Sequence, residues 1–190
     1  MFENLKNTTI ITIEGKDGSG KTTVAKILAE KLNAELISFP KYNSLAGSRI
    51  KQILTKQIPF PGELEFQSLQ LADKIEAYRI LNNYTKIPET IVNCRYYESS
   101  YVYAKANEGV PLQYLVNINS VLPQSTLSFV LSGKNYGKNS DFYETDPMQK
   151  KVSYLYLSYA KKFKWNIINN EQPIESVVNE IISKIHAYNN

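Results

Sequence analysis

Gly15-Lys16-Asp17-Gly18-Ser19-Gly20-Lys21-Thr22 is the stretch from which the rest of this 190-residue chain can be read. It has the form G-x-x-x-x-G-K-[ST], a phosphate-binding P-loop. Its glycines let the backbone turn tightly and direct successive N–H groups at phosphate oxygens. Lys21 can reach the β- and γ-phosphates of a nucleotide, and the Thr22 hydroxyl can meet Mg²⁺. The flanks fit this reading. The run Thr8 to Glu14 is largely β-branched, as a central parallel strand should be, and Val24, Ile27, Leu28 and Leu32 follow at helical spacing. The motif implies nucleoside triphosphate binding and leaves open what is done with the nucleotide.

Outward from that unit, strand and helix patterns alternate. Glu35 to Phe39 is predicted as a second strand ended by Pro40, and Gly47 to Lys56 as a short helix with Ile50, Ile53 and Leu54 inward. Glu63 to Asn82 is predicted as a long helix, apolar at Leu64, Leu71, Ile75 and Tyr78. Ile87 to Cys94 enters a third strand. Tyr96 to Asn107 reads as helix, and Pro111 opens another that ends before Pro123. Leu127 to Leu131 and Trp165 to Ile168 are the fourth and fifth strands, each followed by a helix: Pro147 to Lys162 and Pro173 to His186. Between them Ser132 to Ser140, rich in Gly, Asn and Lys, has the composition of a mobile loop. The alternation predicts an α/β fold, a five-stranded parallel sheet flanked by helices, with ligands at the strand carboxyl ends. Residues 1–190 are expected to form one domain.

Composition narrows the function. Hydrophobic content of 43% and charged content of 21% are globular values. A net charge of +4 suits anionic small-molecule substrates and is too weak to argue for nucleic acid. One cysteine, Cys94, excludes an intramolecular disulfide and a multi-cysteine metal site, and fits a reducing cytoplasm. His186, the only histidine, lies in the last helical pattern, which argues against histidine-based catalysis. No apolar run approaches the ~20 residues of a bilayer span, and the N-terminus lacks the basic-then-apolar pattern of a signal peptide. A cytoplasmic protein is expected, without a membrane or nucleic-acid partner.

Acceptor groups should lie where the second and third strands end, because these open onto the same crevice as the P-loop. The second ends in Phe39-Pro40-Lys41-Tyr42, which could form a base wall and a phosphate contact, or simply a turn over a core Phe. The third ends in Cys94-Arg95-Tyr96, with Ser99, Ser100 and Tyr103 at helix-start spacing. Arg95 is one of three arginines. Its planar guanidinium suits two-pronged phosphate binding, although a surface arginine beside core tyrosines would have the same spacing.

Taken in order, these motifs resemble those of the thymidylate kinases. The family pattern E-G-x-D-G-x-G-K-T-T is matched by Glu14 to Thr23, F-P-x-Y by Phe39 to Tyr42, and L-x-x-A-D-[RK] by Leu69 to Lys74. The pattern D-R-Y-x-x-S-x-x-x-Y is matched by Cys94 to Tyr103, and a lid tail by Asp141 to Glu144 with Gln149 to Val152. The resemblance implies a nucleoside monophosphate kinase with a short lid at about 133–146, moving the γ-phosphoryl group of ATP to dTMP with Mg²⁺, and pairing as a homodimer. By the same resemblance, Gly15, Asp17, Gly18, Ser19, Gly20, Lys21, Thr22 and Thr23 hold ATP, and Thr22 and Asp17 serve the metal. Phe39 stacks near thymine and Lys74 approaches the base. Tyr42 and Arg95 hold the dTMP phosphate, and Tyr103 lies beneath the deoxyribose with Asp17 near the sugar. Pro40, Gln70, Tyr96, Ser99 and Ser100 complete the pocket. Lys21 and Arg95 would be catalytic, with Lys134 or Lys138 from the lid.

The departures are specific. Cys94 stands where the family has Asp, and Gly18 and the lid lack the family's catalytic Arg. The acid usual before the fourth strand is replaced in Ser125-Thr126-Leu127, and Gln70 replaces an aromatic that often stacks on the base. A thiol cannot take over a carboxylate's hold on Mg²⁺, and Cys94 reads best as a small buried residue at a strand end. Two alternatives stay open: a deoxynucleoside kinase, which would need a carboxylate base, and a nucleotide-binding regulatory homologue with weakened catalysis.

Overall fold

In a computed structural model of the chain, residues 1–136 and 146–189 are described. Five strands, β1 (Thr9–Gly15), β2 (Glu35–Ser38), β3 (Thr90–Cys94), β4 (Leu127–Ser132) and β5 (Asn166–Asn169), form one sheet in the order β2-β3-β1-β4-β5. Every pairing is parallel, with Ile13 opposite both Cys94 and Phe129. The helices are α1 (Lys21–Leu32), α2 (Leu45–Leu54), α3 (Glu63–Asn82), α4 (Tyr97–Ala106), α5 (Leu112–Asn119), α6 (Asp146–Phe163) and α7 (Ile174–Asn189), with a single 3₁₀ turn at Glu3–Leu5.

Strand alternation divides the core in two. Ile11, Ile13, Val92, Phe129, Leu131 and Ile168 face α1 and α7, whose Leu28, Val178 and Ile181 are fully buried. Ile10, Ile91 and Val130 face the opposite way, toward the cluster that holds Phe66, Tyr78, Val102 and Tyr156. Because β1 lies between β3 and β4, its carboxyl end opens into the crevice of the sheet, the usual place for a ligand in open α/β folds. The glycine that ends β1 is required there. Gly15 has φ +140°, and a Cβ would stand 2.6 Å from the carbonyl oxygen of Leu131. Gly47 is needed for close approach, since a Cβ would lie 1.9 Å from the Lys41 carbonyl oxygen.

Two expectations need correction. On α3, Tyr78 is buried as predicted, but Leu64 is 55% exposed, while Glu63, Gln67, Asp73 and Lys74 are buried. The inner side of this helix meets a cavity and a loop, so polar groups find partners there and the apolar period misreads the face. Trp165 lies outside β5. It stacks on Phe163, with centroids 5.3 Å apart.

Candidate active site

The P-loop joins β1 to α1, and Lys21 is the first residue of the helix. Its ammonium is enclosed by the loop, 2.5 Å from Lys16 O, 3.5 Å from Ser19 Oγ and 4.0 Å from Asp17 Oδ1. At the next residue, Thr22 Oγ1 lies 3.8 Å from Cys94 Sγ. Cys94 is buried, and that burial raises its thiol pKa, so it faces Thr22 as a neutral group. The reading of Cys94 as a small buried residue at a strand end fits this geometry.

The far side of the P-loop is clamped by the segment that follows β4. Tyr136 N donates to Gly18 O at 2.6 Å, and its hydroxyl donates to Asn170 O. Asn170 Nδ2 donates in turn to Ser19 O and Lys134 O. Residues 134–136, predicted as loop, are thus tied to the P-loop and to the end of β5. Lys134 is exposed, with its Nζ 5.4 Å from the Tyr136 ring centroid. Lys138 and the Asp141 to Glu144 tail lie outside the described residues.

Across the crevice, β3 ends in a left-handed residue. Arg95 has φ +65°, and its N–H donates to Ile13 O, so the chain turns out of the sheet beside the P-loop. The guanidinium pairs with Asp17 Oδ1 and donates to the Tyr103 hydroxyl, which donates to Asp17 Oδ2 at 3.1 Å. Asp17, Arg95 and Tyr103 form a closed ring of partners.

Glu14 fixes the helix that carries these groups. Fully buried, it accepts from Tyr96 N (2.7 Å), Ser99 N (3.2 Å), Ser99 Oγ (2.7 Å) and the Tyr156 hydroxyl (2.8 Å). A carboxylate at a helix start satisfies orphan N–H groups, so Glu14 holds α4 to β1 and α6. Both of its oxygens are thus occupied by α4 and α6, and Glu14 is not among the residues that line the acceptor cavity. Glu98, the second residue of α4, accepts from Ser125 Oγ and Ser128 Oγ. Burial, and then the charge of Glu14, raise its pKa to about 7.

One cavity collects most of the sequence candidates: Asp17, Phe39, Pro40, Tyr42, Gln70, Lys74, Arg95, Tyr96, Ser99, Ser100 and Tyr103 all line it. Leu54, Phe66 and Gln67 line it as well and were not foreseen. Phe39 stacks on Tyr96 with centroids 5.6 Å apart, and the Lys74 ammonium lies 5.6 Å from the Phe39 centroid. Lys74 is 1% exposed and donates to Gln70 O and Oε1. Burial lowers its pKa to about 8, against the opposing pull of Asp73, Glu14 and Glu98. Asp73 accepts from Lys41 N and Ser44 Oγ and so holds the loop after β2 in place. That role was invisible in the motif that contains it. Tyr96 is wholly buried and its hydroxyl donates to Pro123 O, so its ring is back wall and its polar tip is elsewhere.

A P-loop facing a cation-bearing, aromatic-walled cavity across one parallel sheet defines a P-loop phosphotransferase fold of the nucleoside monophosphate kinase type. Residues 13–181 match the family model described as thymidylate kinase. A probable thymidylate kinase of Sulfolobus acidocaldarius is 31% identical over 193 residues, covering 95% of this chain and 98% of the relative. One of Methanocaldococcus jannaschii is 32% identical over 181 residues, covering 90% and 93%. Among solved structures, thymidylate kinase from Candida albicans, reported for its broad substrate specificity, superposes with a TM-score of 0.77 at 25% identity, covering 95% of this chain and 92% of that one. The chain belongs to the thymidylate kinase family. Among the described residues no helix is long and apolar enough to cross a membrane.

Proposed function

We propose that the chain transfers the γ-phosphoryl group of ATP to dTMP, giving ADP and dTDP. The observation that carries this reading is the cavity lined by Asp17, Arg95 and Tyr103, in which Arg95 pairs with Asp17 of the P-loop, 4.0 Å from Lys21. A phosphate oxygen of dTMP attacks the γ-phosphorus in line while the β–γ bridging oxygen departs with ADP. Lys21 and the loop N–H groups hold the donor phosphates. Arg95 and Tyr42 take the acceptor phosphate, and Asp17 with Tyr103 take the deoxyribose. Phe39 and Pro40 wall the base, with Lys74 and Gln70 at its polar edge. The acceptor oxygen is already anionic near neutral pH, so no strong general base is required.

Mg²⁺ fits the site only sparingly. Thr22 offers a hydroxyl, Asp17 is engaged by Arg95, and no cluster of three acidic, Cys or His side chains occurs among the described residues. Mg²⁺ commonly keeps several waters and leans on substrate phosphates, so Thr22 with donor oxygens is a sufficient anchor. Bound there, it would neutralise charge on the β- and γ-oxygens. Gly18 carries no cation, so Lys134 or Lys138 supplies one from a lid at about 133–146 of a single domain, 1–190. We further read the protein as cytoplasmic and homodimeric. The homodimer is carried over from the family resemblance, and a monomeric mass by light scattering would remove that part.

A coupled ADP-release assay across dTMP, dUMP, dCMP, dGMP and thymidine tests the main reading. Turnover is expected with dTMP and not with thymidine. The reverse preference would return the deoxynucleoside kinase, and tight binding of ATP and dTMP without product would return the regulatory homologue.

Lys74 makes the acceptor step pH-dependent. Its pKa in the folded protein lies below its ordinary value, so the charge is present below pH 8 and is lost as pH rises through about 8. KM for dTMP is expected to rise across that interval by roughly tenfold, the worth of one charge-assisted hydrogen bond. Lys74→Arg, whose guanidinium stays protonated, should carry no such inflection. A wild-type KM that is flat from pH 7 to 9.5 would contradict the assignment.

A further inference from the structure

Gln67 is 2% exposed on α3, and it walls the same cavity as Gln70, Lys74 and Ser100. Its Nε2 donates to Glu63 Oε1 at 2.7 Å, and Asn107 Nδ2 donates to Glu63 Oε2 at 2.7 Å. A carboxylate only accepts, so this contact fixes which end of the Gln67 amide is nitrogen. The amide oxygen, Oε1, is then buried without a donor. Among the described residues that wall the cavity it is the one buried side-chain polar atom in that condition. Buried acceptors are nearly always satisfied in folded proteins, so one left over beside a ligand cavity points to a donor on the ligand. Positions 67, 70 and 74 are spaced by three and four, which sets them on one face of the helix and brings the Gln67 amide and the Lys74 ammonium to the same side.

We propose that Gln67 Oε1 accepts the N3–H of the acceptor's pyrimidine while Lys74 Nζ donates to the adjoining O4, so that α3 reads the imide edge of thymine or uracil. The inference rests on the dTMP-kinase reading and names a residue that the motifs did not. Glu63 and Asn107 are positioning residues, holding the amide so that its oxygen cannot rotate away. Cytosine in the same pose sets its N3 lone pair against Oε1 and its amino group against Lys74, acceptor on acceptor and donor on donor. A site built to pair with an N–H rejects ligands lacking it far more strongly than an apolar wall does.

The test compares dTMP, dCMP and N3-methyl-dTMP as acceptors for the wild type, Gln67→Leu, Gln67→Met and Ser100→Ala. Circular dichroism and ATP binding establish which variants are folded. The wild type is expected to favour dTMP over the N3-methyl analogue by about 10²-fold or more in kcat/KM. The folded Gln67 variants should raise KM for dTMP about tenfold, alter kcat little, and bring that discrimination to within about threefold. Retention of the discrimination in a folded Gln67 variant overturns the proposal, as does its loss in Ser100→Ala alone. Calorimetric binding of dTMP and its N3-methyl analogue separates the two readings. A wild type that binds dTMP with this discrimination but forms no dTDP refutes the kinase reading and leaves the Gln67 contact standing. One that turns over both nucleotides equally refutes only the contact.

Discussion

Lys21→Ala is expected to lower kcat by about 10³-fold or more, the largest single effect in the molecule. The reason is the enclosure of the ammonium. Lys21 is 5% exposed, and its Nζ lies inside the P-loop against Lys16 O, Ser19 Oγ and Asp17 Oδ1. Water has little access to replace the lost charge, and fixed charge counts for more in such a site than in solvent. The loop N–H groups survive the substitution, so ATP affinity should fall less than kcat. Lys21→Arg should recover little, because a rigid planar fork has to fit where a slim ammonium is closely ringed by the loop backbone. Single-turnover kinetics with ATP binding measured in parallel separate the two effects. A kcat within tenfold of wild type would remove Lys21 from the chemistry.

What could be read from the sequence divides along physical lines. Strands and helices were legible because each has its own period and the P-loop fixed the order of the first three elements. The α3 boundaries, Glu63–Asn82, came out as predicted, yet its inner face did not. Hydrophobic periodicity assumes that a helix turns its apolar side inward, and α3 buries Gln67, Asp73 and Lys74 against a cavity and a loop. At the site, residues at strand ends were legible because open parallel sheets put their ligands there. The supporting contacts were not. Glu14 meets Ser99 and Tyr156 across 85 and 142 positions, and Asn170 meets Ser19 across 151. No local pattern encodes partners so far apart, and Glu14 at the end of an apolar strand gives no sign of which helix it will cap. The spacing of Gln67, Gln70 and Lys74 is the one sequence signal that extends the pocket along α3.

Arg95→Ala is expected to lower kcat/KM for dTMP by about 10³-fold while KM for ATP stays within about threefold. The Arg95 guanidinium is held by Asp17 Oδ1 and the Tyr103 hydroxyl at the edge of the cavity. A planar fork so held can meet two phosphate oxygens at once, and an ammonium cannot, so Arg95→Lys should recover less than about tenfold. A second cause could produce the same loss. Without Arg95, the buried Asp17 carboxylate keeps the Tyr103 hydroxyl and Lys21 at 4.0 Å, and a buried charge stripped of its closest cation is destabilising. The double variant Arg95→Ala with Asp17→Asn separates the causes. If the stranded carboxylate is responsible, neutralising it restores activity toward wild type. If Arg95 acts on the acceptor phosphate, the double variant stays at least as slow as Arg95→Ala alone. Persistence of the deficit is the expected result, because the cation that balances Asp17 in the free protein is the same one that the acceptor phosphate requires.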